Sequence, residues 1–172
     1  MKGADAATTW IYPNTLGVLS RQLQQNGISI PLITQSAMEL AVNGGVVKPS
    51  EYPGGVYAVE ACSPGAAAPD SKLGAFDKAY RDAYKAPSFS GALSAYDGVY
   101  IAAAAAEKAG SLDAKNINKA LATVTYSGAC GEYRADGAHV LGHDVSVVKF
   151  NADGTSAVVK TAKNPPLEKG KN

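Results

Sequence analysis

Residues 6–34 open with Ala6-Ala7-Thr8-Thr9-Trp10-Ile11-Tyr12, continue from Pro13 through Gln25, and close with Asn26-Gly27 and Ile28-Ser29-Ile30-Pro31-Leu32-Ile33-Thr34. The first run is rich in β-branched and aromatic residues and stops at a proline that cannot donate to a ladder, which predicts a strand over 6–12. Trp10 shares a face of that strand and reads as core. Pro13 suits the first turn of a helix, and Leu16, Leu19 and Leu23 recur at i, i+3 and i+7 while Arg21, Gln22, Gln24 and Gln25 face away. Gly27 can take the left-handed conformation that stops the helix. Residues 28–34 then read as a second short strand. Strand, helix and strand in this order form a βαβ unit, and parallel strands joined in this way imply an α/β sheet covered by helices.

Beyond this unit, residues 36–41 are compatible with a short helix, whereas Asn43-Gly44-Gly45 and residues 49–55 break the chain into loop. Val56-Tyr57-Ala58-Val59-Glu60-Ala61-Cys62 reads as a third strand, and residues 63–69 as a linker. From Asp70 or Ser71 as N-cap, Leu73, Phe76, Ala79, Tyr80, Ala83 and Tyr84 mark an amphipathic helix. The strongest helical signal covers 89–109, with a stripe of Leu93, Tyr96, Val99, Tyr100, Ala103 and Ala106. Asp113 caps a further helix over 114–123, with Ile117, Ala120 and Leu121 inward. After Ser127-Gly128 the character changes to short strands and turns, through 135–138, 145–150, 151–154 and 156–161. Asp153-Gly154 between 145–150 and 156–161 is a hairpin signal. The polar tail over 163–172 reads as disordered.

Sixteen Lys+Arg against fifteen Asp+Glu leave a net charge of +1, so no long-range field draws this chain to nucleic acid or an anionic membrane. The apolar run over 99–106 falls well below the roughly 20 residues needed to span a bilayer. Met1-Lys2-Gly3-Ala4-Asp5 lacks an apolar core and does not read as a signal peptide. The two cysteines, Cys62 and Cys130, fit either a reduced protein or one bridge in an oxidising compartment.

The ordering of these elements resembles the C-terminal half of a type I periplasmic solute-binding protein of the branched-chain amino acid ABC transporter family. The resemblance rests on Ala4-Asp5-Ala6 to Tyr12, Arg21-Gln22-Leu23 with Gly27, and Pro31-Leu32-Ile33. It continues through Pro53-Gly54-Gly55-Val56, Phe76 with Tyr80 and Tyr84, and Ala95-Tyr96-Asp97-Gly98-Val99. Glu107-Lys108-Ala109-Gly110-Ser111, Ala120-Leu121, residues 128–131 and Asp136-Gly137-Ala138-His139 complete it. It covers residues 3–159. The implied fold is a Rossmann-like βαβ lobe of an incomplete type I periplasmic-binding-protein fold, whose two lobes close on a ligand by hinge bending. The implied organisation places 1–55 in the second ligand-binding lobe and 56–141 in the hinge strand and first-lobe helices. Residues 142–162 would form the returning hairpin, and 163–172 the tail. Most of the first lobe lies outside the resemblance, so self-association of the open half is expected.

The resemblance implies an extracytoplasmic solute-binding subunit of an ABC importer, periplasmic or extracellular, that takes an amino acid or related small carboxylate. A membrane permease is the implied partner, and no cofactor or nucleic acid is expected. The alternative is the ligand-sensing domain of a receptor or regulator. Ligands in such folds sit at the carboxyl ends of strands. Tyr12 matches a position that contributes an aromatic wall or hydroxyl, with a core aromatic as the other reading. Ser36 matches a position where amino-acid binders often carry an acid for the ligand ammonium, a charge that serine cannot provide. Glu39, one helical turn on, substitutes if it turns inward; otherwise it is a solvated helix residue. Gln35 and Thr34 supply neutral hydrogen bonds suited to a carboxylate or an aromatic acid.

By the same resemblance Cys62 and Cys130 fall on segments that run toward each other, so either a disulfide or two buried thiols is expected. His139 and His143, with Asp136 or Asp144, invite a metal reading, but the spacing lies in loop and strand, and turn histidines are the expectation. Asp97 reads as a cap or surface carboxylate. The sequence carries no glycine-rich phosphate loop and no Gly-x-Ser-x-Gly elbow, so no enzyme is expected. An enzyme reading would need His139 or Cys130 beside a perturbed carboxylate in a pocket.

Overall fold

Pro13 already holds the φ of a first helical residue, and α1 (Pro13–Gln25) begins there, with Asn26 as C-cap and Gly27 at φ 65° immediately beyond. The computed structural model describes residues 3–136 and 140–163. Helix α1 joins β1 (Ala7–Thr8) to β2 (Leu32–Thr34), and α2 (Ala37–Asn43) leads on to β3 (Val56–Glu60). These three strands are parallel neighbours, with Ala7 opposite Leu32 and Leu32 opposite Val56. The chain then leaves the sheet and builds α3 (Lys72–Tyr84), α4 (Ser90–Ala109) and α5 (Ala114–Leu121). A small antiparallel sheet follows, made of β4 (Thr125–Gly128), β5 (Gly131–Ala135) and β6 (Leu141–Gly142). Finally β7 (Val145–Phe150) pairs antiparallel with β3, and β8 (Ser156–Ala162) closes the hairpin at the edge. The main sheet therefore runs β1-β2-β3-β7-β8.

Alternation sorts the sheet into two unlike faces. Leu32, Val56, Ala58, Val148 and Phe150 are buried and pack with Leu16 and Leu23 of α1 and Met38, Ala41 and Val42 of α2. Tyr52 completes this core and donates its hydroxyl to the Ile30 carbonyl at 2.8 Å. Gly54 is required there, because a Cβ would strike the Ile30 carbonyl. On the opposite face Ile33, Tyr57 and Val147 are half-buried and Val59 is exposed, with the Lys149 ammonium over the Tyr57 ring at 5.9 Å. A second core joins Ile101 of α4 and Leu121 of α5 to Val124, Tyr133 and Leu141 around the small sheet.

Several expectations need correction. Only residues 7–8 of the run over 6–12 pair as strand, because the turn into α1 at Pro13 carries the chain off the sheet edge. Trp10 is 82% exposed and Tyr12 83% exposed, so neither is core. The buried ridge of α4 is Leu93, Asp97, Ile101 and Ala105 at four-residue spacing, while Tyr96, Val99 and Tyr100 point outward. With alanine on most sides, α4 carries no single dominant apolar stripe, so its partners select the face. Helix α3 buries no residue fully, and its Phe76, Tyr80 and Tyr84 instead form an aromatic ladder continued by Tyr96 and Tyr100. Ser71 caps α3, accepting from the Gly74 N–H at 3.0 Å, and Lys85 ends it at φ 56°. Among the described residues no helix is long and apolar enough to cross a membrane. The disorder expected of the tail concerns residues outside the described ones except Lys163, whose Nζ meets the Asp144 carboxylate at 2.7 Å.

Candidate functional site

The parallel strands β1, β2 and β3 end on one edge of the sheet, and every polar group expected to meet ligand lies there. Tyr12 is the N-cap of α1 and projects into solvent. Thr34 ends β2; it is buried, and its hydroxyl has no hydrogen-bond partner among the described residues. Gln35 and Ser36 form the turn into α2. The Gln35 Oε1 accepts from the Ser36 hydroxyl and from the Ala37 N–H, each at 2.9 Å, so the Gln35 carboxamide caps this helix in place of Ser36. Gln35 and Ser36 thus form one hydrogen-bonded group beside the unpartnered Thr34 hydroxyl, and no hydrogen bond connects the three residues to Tyr12 among the described residues.

Glu39 corrects the reading of a solvated helix residue: it is 5% exposed, and its Oε2 accepts the Ser90 N–H at 2.7 Å, at the N-terminus of α4. An anion at that end is favoured by the helix dipole. Glu60, at the carboxyl end of β3, is 3% exposed; its Oε2 accepts from the Ser63 hydroxyl at 3.3 Å, and Oε1 has no partner among the described residues. Burial pushes Glu39 up to about 7 against the lowering effect of the Ser90 N–H, with the Asp77 charge adding to the rise. Burial, reinforced by the Glu39 charge, takes Glu60 up to about 8. Asp77 of α3 behaves differently. Burial works to raise it, yet hydrogen bonds from Arg81 and Ser88 and the Arg81 charge hold it below its ordinary value. A groove of about 370 Å³ is lined by Glu39, Arg81, Ser88, Phe150 and Thr155. A larger one of about 610 Å³ runs along Phe76, Tyr80, Tyr84, Tyr96, Tyr100 and Tyr126. Neither includes Tyr12 or Ser36.

Cys62, just past β3, is disulfide-bonded to Cys130 in the β4–β5 turn, with Cα atoms 5.2 Å apart. Beside this bridge Asp97 is fully buried, which overturns its reading as a cap or surface group. Its carboxylate accepts the N–H of Ala129 at 2.8 Å, the N–H of Cys130 at 2.9 Å and the Tyr133 hydroxyl at 3.0 Å. Burial and then the Asp97 carboxylate raise the Tyr133 hydroxyl far above its ordinary value. Gly128 leaves the room this arrangement needs, since a Cβ there would run into the Asp97 carboxylate. Gly128 and Gly131 flanking a two-residue turn were the available signal that some acceptor fills the concavity. His139 lies outside the described residues. His143 Nδ1 meets the Asp144 carbonyl oxygen at 2.7 Å, and among the described residues no three His, Cys, Asp or Glu side chains are grouped to hold a metal ion.

A family model described as periplasmic binding protein matches residues 1–155. No curated protein matches the chain. Among solved structures, the branched-chain amino acid transporter substrate binding protein of Streptococcus pneumoniae, in complex with isoleucine, superposes with a TM-score of 0.74 at 25% identity. That match covers 96% of this chain and 47% of the other. A leucine binding protein of Thermotoga maritima gives 0.72 at 22% identity, over 94% and 45% of the two chains. An ABC transporter solute binding protein of Rhodopseudomonas palustris, in complex with 3,4-dihydroxybenzoic acid, gives 0.73 at 19%, over 93% and 45%. The chain spans about half the length of the structures it matches.

Proposed function

The chain belongs to the periplasmic binding protein family, and from that premise we propose that it supplies one wall of an extracytoplasmic clamshell that captures a small solute for an ABC permease. The observation that carries the proposal is the family match over residues 1–155 on a fold in which Thr34, Gln35 and Ser36 lie at the carboxyl end of β2, with Tyr12 at the N-cap of the helix that follows β1. Binding by closure needs no bond chemistry, so the protein acts as a binder and not as an enzyme. In this reading residues 1–55 and the hairpin over 142–162 belong to the second lobe, β3 enters the hinge, and the helices within 56–141 lie on the first lobe.

The ligand class is an amino acid or related small carboxylate. Ser36 brings no charge, and Glu39 is turned onto Ser90, so the edge offers an ammonium no free carboxylate from either residue. That favours an acid without an amino group, and the Rhodopseudomonas palustris neighbour in complex with 3,4-dihydroxybenzoic acid is consistent with this choice. The test is a thermal-shift screen of amino acids and aromatic acids on a complete clamshell that carries this chain as its second half. An aromatic acid should raise the Tm, and Tyr12→Ala should weaken its binding at least tenfold. No shift with any member of either class would refute the reading.

The open aromatic face of α3 and α4 and the exposed edge strand β8 supply the reason to expect self-association of the isolated chain. A compact monomer in sedimentation at tens of micromolar would count against it. The sensing role is the second reading, since an extracellular ligand binding receptor of Desulfohalobium retbaense shares the fold, at a TM-score of 0.69 and 18% identity.

A further inference from the structure

Two carboxylates hold the bend that leads into α4. Asp77 of α3 accepts from both the N–H and the hydroxyl of Ser88, at 3.1 and 2.6 Å, and Glu39 of α2 accepts the Ser90 N–H at 2.7 Å. Asp77 has a neutralising partner, since the Arg81 Nε meets its Oδ2 at 2.6 Å. Glu39 has none among the described residues; the charged groups around it there are Asp77, the Arg81 that shares its groove, Glu60 and, at the β7–β8 turn on the same groove, Asp153. Glu60 sits at the end of β3, where the sheet gives way to the segment carrying Cys62. The two buried side-chain oxygens without a partner among the described residues, Thr34 Oγ1 and Glu60 Oε1, belong to this same corner. Thr34 pairs with Ala58, and Glu60 follows Ala58 on the same sheet face. A buried carboxyl with one bare oxygen next to a buried anion is stable only while it stays neutral.

We propose that Glu39 and Glu60 form a proton-operated joint between the β2–α2–β3 corner and α4, in which Glu39 carries the charge, Glu60 carries the proton, and loss of that proton loosens the seat of α4. The Ser90 N–H and the helix N-terminus favour the charge on Glu39, and the single weak hydrogen bond from Ser63 leaves Glu60 as the member that stays protonated. Removing the second proton sets two like charges in a corner with little exposure to water, with only Arg81 among the described residues, already bound to Asp77, to offset them. The corner then opens to solvent, and the Ser90 N–H loses its shelter. The upward displacement of both groups from the ordinary carboxylate range agrees with this arrangement and places the transition above neutrality. This goes beyond the proposed solute-binding role and does not depend on it.

The test is NMR on the intact chain: side-chain carboxyl ¹³C shifts of the glutamates from pH 4 to 10, and Ser90 amide exchange from pH 6 to 9, corrected for the intrinsic pH dependence. The parent should show two linked carboxyl titrations above pH 6, and at least a tenfold loss of Ser90 protection across the upper step. Glu60→Gln, which fixes the neutral state, should leave one titration and a Ser90 protection that no longer changes with pH. Glu39→Gln should likewise remove one step and abolish the pH dependence. Ordinary titrations near 4.5 in the parent, or Ser90 protection unchanged through pH 9, would overturn the proposal without any variant. Persistence of the protection loss in both variants would do the same.

Discussion

Asp97→Ala removes a fully buried acceptor and strands three donors, the N–H groups of the half-buried Ala129 and Cys130 and the buried Tyr133 hydroxyl. A buried donor left without an acceptor costs about 1–3 kcal/mol, so the three together amount to at most about 3–9 kcal/mol; water reaching the two half-buried N–H groups brings the expected loss to about 4 kcal/mol. For a chain of this size a urea m-value of about 2 kcal/mol/M turns that loss into a fall of about 2 M in the unfolding midpoint. The assay is urea unfolding at pH 7 followed by far-ultraviolet circular dichroism, with the Cys62–Cys130 bridge intact in both proteins. Tyr133→Phe is the internal control. It removes one donor and leaves the carboxylate with both backbone N–H groups, so about 1 kcal/mol should be lost. If Asp97→Ala stays within about 1 kcal/mol of the parent, or Tyr133→Phe costs as much as Asp97→Ala, the carboxylate does not organise the β4–β5 turn.

Gly128→Ala would push a Cβ into the Asp97 carboxylate and should cost about 2 kcal/mol or more, whereas Gly98→Ala, with open space around its Cβ on α4, should be neutral or stabilise by up to about 1 kcal/mol; equal effects in thermal melts would discredit the packing described around Asp97. Replacing both Cys62 and Cys130 with serine should cost about 4 kcal/mol by the chain-entropy model, and mass spectrometry of never-reduced protein after alkylation should find neither thiol modified. Glu39 and Glu60 also set a sign for stability against pH. Their folded values, about 7 and about 8, lie above the ordinary 4.5, so the folded chain keeps protons that the unfolded chain has released. This contribution is complete below pH 4.5 and drains as pH rises toward 8, at up to about 1.4 kcal/mol per pH unit for each group; a Tm that climbs between pH 5 and 8 would contradict it.

Elements set by nearby residues could be read from the chain alone. Pro13 and Gly27 bracket α1, Asp113 caps α5 by accepting from the Lys115 and Asn116 N–H groups, and Asp153-Gly154 marks the β7–β8 hairpin, because each signal acts within a few positions. Residues whose surroundings come from far along the chain were misread. Glu39 is buried by a bond to Ser90, 51 positions away, and Asp97 by bonds 32, 33 and 36 positions away. Trp10 looks like core in a strand pattern, yet that pattern cannot show that the last bond to β2 is the one from the Thr9 N–H to the Ile33 carbonyl. The group proposed to face ligand is legible only through resemblance. Thr34, Gln35 and Ser36 have no catalytic or metal-binding spacing of their own, and what marks them is their place at a strand end.

The covalent ring closed between Cys62 and Cys130 encloses α3, α4, α5 and β4. The exposed bend at Lys85 lies inside that ring, and it is a natural cleavage point for trypsin. A cut there opens the backbone but frees no piece, so the nicked chain runs as one band on a gel without reductant and separates into two when thiol is added. Proteolytic wear at this bend would thus pass unnoticed in an oxidising compartment and become visible only after transfer to a reducing one.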